Sequence, residues 1–220
     1  MELLDSLNNL LPKYETTLPF SKDKVTFTPF RVKDAKNISI ILQEENKTTA
    51  LKCMIDLLKT NTSGTNILEL CLADAEFLFL QIRSKSVDER LNLLHNKEKI
   101  QVFISQILPR NEIKIETIQI STDLNLTLET PKIKDILKLN SYDKDDFIKS
   151  CIKKITVRGE IYHTNKYLTE DLHKLIDDLP LSIIPKLEDF LKNQPELYIM
   201  LPTKDGDKEV SGFLRFFTYR

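Results

Sequence analysis

Hydrophobic spacing changes repeatedly along the chain, and each change predicts a new element. Leu3 to Leu11 form a short amphipathic stretch that Pro12 stops. Tyr14, Thr16 and Leu18 then alternate with polar neighbours, and Val25, Phe27 and Pro29 do so again after the polar tetrad Ser21-Lys22-Asp23-Lys24. Period two on both sides of a polar turn predicts a β-hairpin, with Pro19 and Pro29 at strand ends. From Val32 the period becomes helical: Ala35, Ile38, Ile41 and Leu42, then Leu51, Met54, Ile55 and Leu58, with Glu44 to Lys47 separating or kinking the two segments. Thr60 to Thr65 reads as a loop. Asp74 is placed to cap a helix whose Phe77–Leu80 run and Ile82 are apolar nearly all round, which predicts a buried helix ending in the polar tail Arg83-Ser84-Lys85-Ser86.

The middle of the chain is β-patterned. Ile100, Val102 and Ile104 alternate, as do Leu124, Leu126 and Leu128. Between them Ile113 and Ile115 use odd positions, while Ile118 and Ile120 use even ones. That slip of one residue near Thr117 puts the two pairs on opposite faces of an antiparallel meander, unless a bulge or bend there restores one face. Beyond Pro131 helical spacing returns at Ile133, Ile136 and Leu137. It continues through Phe147, Ile148, Ile152 and Ile155 as one helix stopped by Gly159, and again from Leu172 and from Ile183 to Leu191. Leu197 to Leu201 and Val210 to Phe217 flank a Lys204-Asp205-Gly206-Asp207 turn and predict a final hairpin. The expected fold is therefore α+β: an N-terminal β-hairpin, a helical segment, central antiparallel strands, and a helical C-terminal part ending in a hairpin. Residues 1–130 would hold the hairpin, helices and meander, and 131–220 the mostly helical remainder, unless the whole is one domain.

Composition narrows the functions. With 32 Lys and Arg against 33 Asp and Glu, the formal charge is -1, whereas a protein that grips nucleic acid by its overall field is strongly basic. Four glycines and no tryptophan disfavour Gly-rich phosphate loops and exclude an indole platform. No basic, apolar leader opens the sequence, and no window is long and apolar enough for a membrane span. Cys53, Cys71 and Cys151 lie in apolar or helical patterns and read as buried, reduced thiols. The sequons at Asn37, Asn46, Asn61 and Asn125 then read as chance matches.

Candidate chemistry is sparse. His95, His163 and His173 share no ligand spacing, and no Cys-x-x-Cys pair, nucleophile elbow or phosphate loop occurs. Asp205 to Glu209 lack the frame of a calcium loop. Asp143, Asp145 and Asp146 read as acids at a helix start. Lysines of residues 132–154 form a locally basic stretch, interleaved with acids and without aromatic residues for stacking. No catalytic residue, metal or cofactor is expected, and the chain reads as a non-enzyme. The unusual feature is the end of the chain, where Phe213, Phe216, Phe217 and Tyr219 crowd the last eight residues. They either pack on the domain or dock on a partner.

Several segments resemble one family. Leu11-Pro12-Lys13-Tyr14-Glu15-Thr16-Thr17-Leu18-Pro19 and Thr28-Pro29-Phe30-Arg31-Val32-Lys33 resemble the opening of the T-even-type phage baseplate hub assembly proteins. Asp74 to Val87 resembles that family's "D-x-E-x-L-F-L-x-I-R-x-K-S-V" segment, and Gly212 to Phe217 its "G-(L/F)-x-x-F-F" ending. The zinc ribbon that many relatives carry in the last hairpin has no counterpart here, because residues 201–206 contain no cysteine. The resemblance implies a non-enzymatic chaperone or minor subunit that binds a baseplate hub, spike or tape-measure protein. Such a factor would act in the host cytoplasm during assembly or reside in the virion tail baseplate. Arg83 and Lys85, with the four terminal aromatics, are the candidate partner-binding residues, although the Arg83–Ser86 tail could equally cap its own helix. The alternative is a nucleic-acid-binding regulator using the lysine-bearing helices of 132–154.

Overall fold

The computed structural model describes residues 10–43, 47–95, 98–139, 144–167, 171, 174, 176–203 and 206–212. Among them the chain forms six α-helices and twelve strands, all paired antiparallel, so the fold is α+β. It divides into two compact units. One joins Met1–Arg110 to Glu196–Arg220, and the other, Asn111–Pro195, is inserted between them in sequence. Thr130 and Pro131 lie inside the second unit, where Lys114 N–H donates to Thr130 Oγ1 (3.1 Å) and Thr130 N–H returns to the Lys114 carbonyl (3.0 Å). Most of the amphipathic opening stretch, residues 3–9, is outside the described residues.

In the first unit the alternation around residues 14–27 produces the expected hairpin, β1 (Tyr14–Thr17) and β2 (Lys24–Phe27), in the register Tyr14↔Phe27. Val25 and Phe27 face inward while Glu15 and Thr17 remain exposed. Helices α1 (Ala35–Gln43) and α2 (Lys47–Asn61) follow, and their apolar stripe, including Ile41, Met54, Ile55 and Leu58, is buried. The expected loop at Thr60 is shorter than its composition suggests. Helix α2 runs on to Asn61, and Thr62–Ser63 forms β3 against β2, because the extended Thr62 backbone completes the hairpin's open edge. Helix α3 (Leu72–Ser86) is buried nearly all round, as its pattern predicts. Strands β4 (Arg90–His95) and β5 (Glu98–Phe103) form a ribbon, and β6 (Leu108–Arg110) joins the final hairpin, β11 (Glu196–Thr203) and β12 (Gly206–Ser211). Their inward residues, Leu91, Leu93, Val102, Leu197, Ile199, Leu201 and Val210, make one core with Leu80 of α3. Arg110 closes this sheet: its guanidinium pairs with Glu196 (2.6 Å) and Glu209 (2.7 Å) and lies 5.1 Å from the Tyr198 ring centroid.

The second unit is a four-stranded meander, β7 (Ile115–Gln119), β8 (Leu124–Glu129), β9 (Ile152–Val157) and β10 (Glu160–His163). Helices α4 (Ile133–Ile136), α5 (Lys144–Cys151) and α6 (Ile184–Lys192) complete it. Its core holds Ile118, Leu126, Leu128, Ile155, Leu187 and Phe190, and Pro185 sits in the first turn of α6, where its missing N–H costs nothing.

One expectation fails here. The helix read through Ile155 stops at Cys151, and Ile152–Val157 is strand β9. Arg158 (φ 49°) and Gly159 (φ 86°) then form a two-residue turn with both backbones left-handed, the geometry that matches the twist of a hairpin. β-Branched Ile152, Ile155, Thr156 and Val157 favour that strand. Of the two readings near Thr117, the structure takes the one with opposite faces and no bulge. β7 runs regularly, leaving Ile115 at 71% exposure and burying Ile118, while the irregularity falls between β8 and β9: Thr127 pairs with Lys154 and Leu128 with Ile152, so Lys153 is the extra residue.

The cysteines differ in accessibility. Burial pushes the thiols of Cys71 and Cys151 up to about 12, with Asp74 adding to the shift at Cys71. Cys53 is only half-buried. Because the thiolate is the nucleophile, brief alkylation of the native chain at pH 8 should label Cys53 first and leave the other two intact until urea is added. Peptide mass mapping reads the result. The unfolded thiols ionise near 9 and the folded ones near 12, so these two groups withdraw stability as pH rises through that window.

Candidate interaction surface

Three sequence-distant segments meet around α3. At its N-terminal end the fully buried Asp74 carboxylate accepts from Phe20 N–H (3.0 Å) and Ser21 N–H (2.9 Å), so it ties down the β1–β2 connection rather than capping its own helix; Cys71 holds that position. Midway, the Phe79 ring packs on Phe30 at a centroid distance of 5.2 Å. At the C-terminal end Ser86 Oγ accepts from Phe30 N–H (2.7 Å), and Lys85 Nζ stands 5.8 Å from the centroid of the Tyr14 ring, itself stacked on Phe27. The Tyr14 segment, the Phe30–Lys33 segment and the α3 segment are thereby one assembly.

The exposed members of those segments form the surface. Val32, on a short 3-10 turn, is 93% exposed, and Val87, just past α3, is 74% exposed. Each lies within two residues of the Phe30–Ser86 hydrogen bond. The Val32 turn is fixed from below by buried Asp34, which accepts from Arg31 N–H (2.8 Å) and from Asn61 Nδ2 (3.4 Å). Lys33 and Lys36 are exposed beside Val32, and Lys85, beside Val87, reaches Glu89 at 3.2 Å. The surface thus offers two valines flanked by ammonium groups.

Of the residues singled out from the sequence, Lys85 is on this surface. Arg83 is half-buried: its guanidinium donates to the carbonyls of Asp88 (3.0 Å) and Arg90 (3.3 Å), stapling the turn after α3, and burial lowers its pKa although nearby Asp88 opposes this. Phe213, Phe216, Phe217 and Tyr219 lie outside the described residues. Val32 and Val87 were not identifiable as surface residues, because a lone valine beside a lysine is equally compatible with a core position. Among the described residues no group of three or more His, Cys, Asp and Glu is placed to hold a metal ion, and no helix is long and apolar enough to cross a membrane.

An α+β scaffold whose signature segments meet around one buried helix, and whose exposed members are apolar and cationic, defines a structural class without reference to a reaction. The chain belongs to the family described as T4 bacteriophage base plate protein, whose profile matches residues 11–218 and so takes in all of these segments. It is by family a phage baseplate protein, with phage structural proteins as its partners. Comparison with curated proteins and with solved structures found no match.

Proposed function

We propose that this baseplate protein acts in assembly of the tail hub, without enzymatic activity, by covering an apolar patch on a hub, spike or tape-measure component in the host cytoplasm. The observation that carries the reading is the pair of exposed valines at the meeting point of the signature segments. Exposed apolar side chains placed by a rigid, buried framework are suited to docking, and the neighbouring lysines favour a partner whose patch is rimmed by carboxylates. Lys85 would contact that rim, and Arg83 would hold the turn that presents Val87. The nucleic-acid alternative gains no support, since Lys149 and Lys153 are paired with Asp146 and Asp135.

Co-expression with the hub, spike and tape-measure proteins of the same phage tests the proposal. One of them should co-purify with the wild-type chain, and Val32→Asp combined with Val87→Asp should cut recovery at least about tenfold, the effect of losing a small apolar anchor at an interface. Far-ultraviolet circular dichroism would verify that the variant is folded. Failure of every candidate to co-purify, or complete baseplates from a phage lacking the gene, would sink the reading.

A further inference from the structure

The second unit holds a cleft of about 130 Å³ that the docking surface does not involve. Lys138, Lys149 and Lys153 line it together with Asp135, and Leu139 and Tyr167 give it an apolar wall. These are not all ordinary surface lysines: the side chains of Lys149 and Lys153 retain only 11% and 22% exposure. Lys153 arrives there because it is the extra residue of the β8–β9 irregularity, where a strand residue leaves the ladder and its side chain is re-aimed.

Lys153 Nζ donates to Asp135 Oδ2 (2.6 Å) and to the Ser150 carbonyl (2.8 Å), and Lys149 Nζ to Asp146 Oδ1 (3.3 Å). An ammonium has three N–H donors. Among the described residues, therefore, Lys153 keeps one, Lys149 two and Lys138 all three. The Thr164 and Ser150 hydroxyls are already committed, to the Ile152 and Phe147 carbonyls at 2.6 Å each. Lys153 and Lys149 are paired with Asp135 and Asp146, so among the described residues Lys138 is the lysine of the cleft without an acidic partner.

We infer that this cleft binds a single carboxylate carried on a short apolar stem. One negative charge matches the Lys138 ammonium, the unassigned ammonium donors suit its two oxygens, and Leu139 with Tyr167 would receive the carbons. A phosphate dianion fits less well, because its second charge would face Asp135 unbalanced. The carboxylate could belong to a free short-chain acid or to a glutamate side chain of a protein, and the two sources are separable.

The test is titration of the ¹⁵N-labelled full chain with sodium propionate, with inorganic phosphate, and with sodium chloride at matched ionic strength. Propionate should give saturable shifts at the Leu139, Asn165 and Tyr167 amides. Lys138→Gln should weaken binding about tenfold, the loss of one charge-assisted contact, while leaving amide shifts elsewhere in place. Shifts that merely follow chloride, tighter binding of phosphate than of propionate, or an unchanged Lys138→Gln variant would each overturn the assignment. Glutamate blocked at both its amino and α-carboxyl groups provides the last arm. Tighter binding than propionate supports the site with a protein side chain as source, and equal binding supports it with a free acid.

Discussion

Asp74→Ala should destabilise the first unit by about 3–6 kcal/mol, since a hydrogen bond to a charged group is worth about 1.5–3 kcal/mol and two are lost together. The carboxylate is fully buried and accepts from two successive backbone N–H groups, those of Phe20 and Ser21. Removing it leaves two partly buried donors unmet, and an unmet donor costs more than a bond never made. Asp74 also lies in the first turn of α3, where a negative charge offsets the partial positive charge of the helix end. Asp74→Asn keeps one acceptor oxygen and should lose about half as much. Urea denaturation followed by circular dichroism checks this: the midpoint should fall in the order wild type, Asn, Ala, with the slope unchanged. A wild-type midpoint for Asp74→Ala would show that the β1–β2 connection is held by packing alone.

Phe190→Ala is the corresponding lesion in the second unit, with an expected cost of about 3–5 kcal/mol for a buried phenyl ring. Phe190 is 1% exposed and belongs to the core that includes Leu126, Leu128, Ile183 and Leu187. The cavity left by its ring opens in that core, between α6 and the meander. Amide hydrogen exchange should show protection falling across β7, β8 and β9 while α3 of the first unit keeps its own. Equal loss in both units would mean that they unfold as one cooperative body.

The contrast between these units also explains what was legible in the sequence. The N-terminal hairpin and α3 were readable because local pattern and tertiary role agree there: Val25 and Phe27 alternate inward, and the run Phe77–Leu80 is apolar because the helix is wrapped by its neighbours. Strand β9 was not, because Ile148, Ile152 and Ile155 fit helical spacing as well as they fit a helix followed by a strand, and the Arg158–Gly159 turn lacks the usual Asn-Gly signal. At Ile115 the spacing left two arrangements open. Its exposure removes the conflict of phase that a bulge near Thr117 would otherwise have had to resolve. At the candidate surface Lys85 was visible from the matched segment, but Val32 and Val87 acquire meaning only when the Phe30–Ser86 hydrogen bond joins stretches 56 residues apart. The lysine cleft was equally hidden, since it depends on a ladder irregularity that no local spacing announces.

Arg110 and Glu196 are cross-strand partners, and they are also the last residue before the inserted unit and the first one after it. On the far side, Asn111 Nδ2 donates to the Gln194 carbonyl at 2.9 Å, so the outgoing and returning chains are still neighbours one step further on. The whole of 111–195 therefore occupies the place of a tight reverse turn. Because both crossings fall on one strand pair, a change of length inside 111–195 leaves the Arg110–Glu196 register of the host sheet as it is.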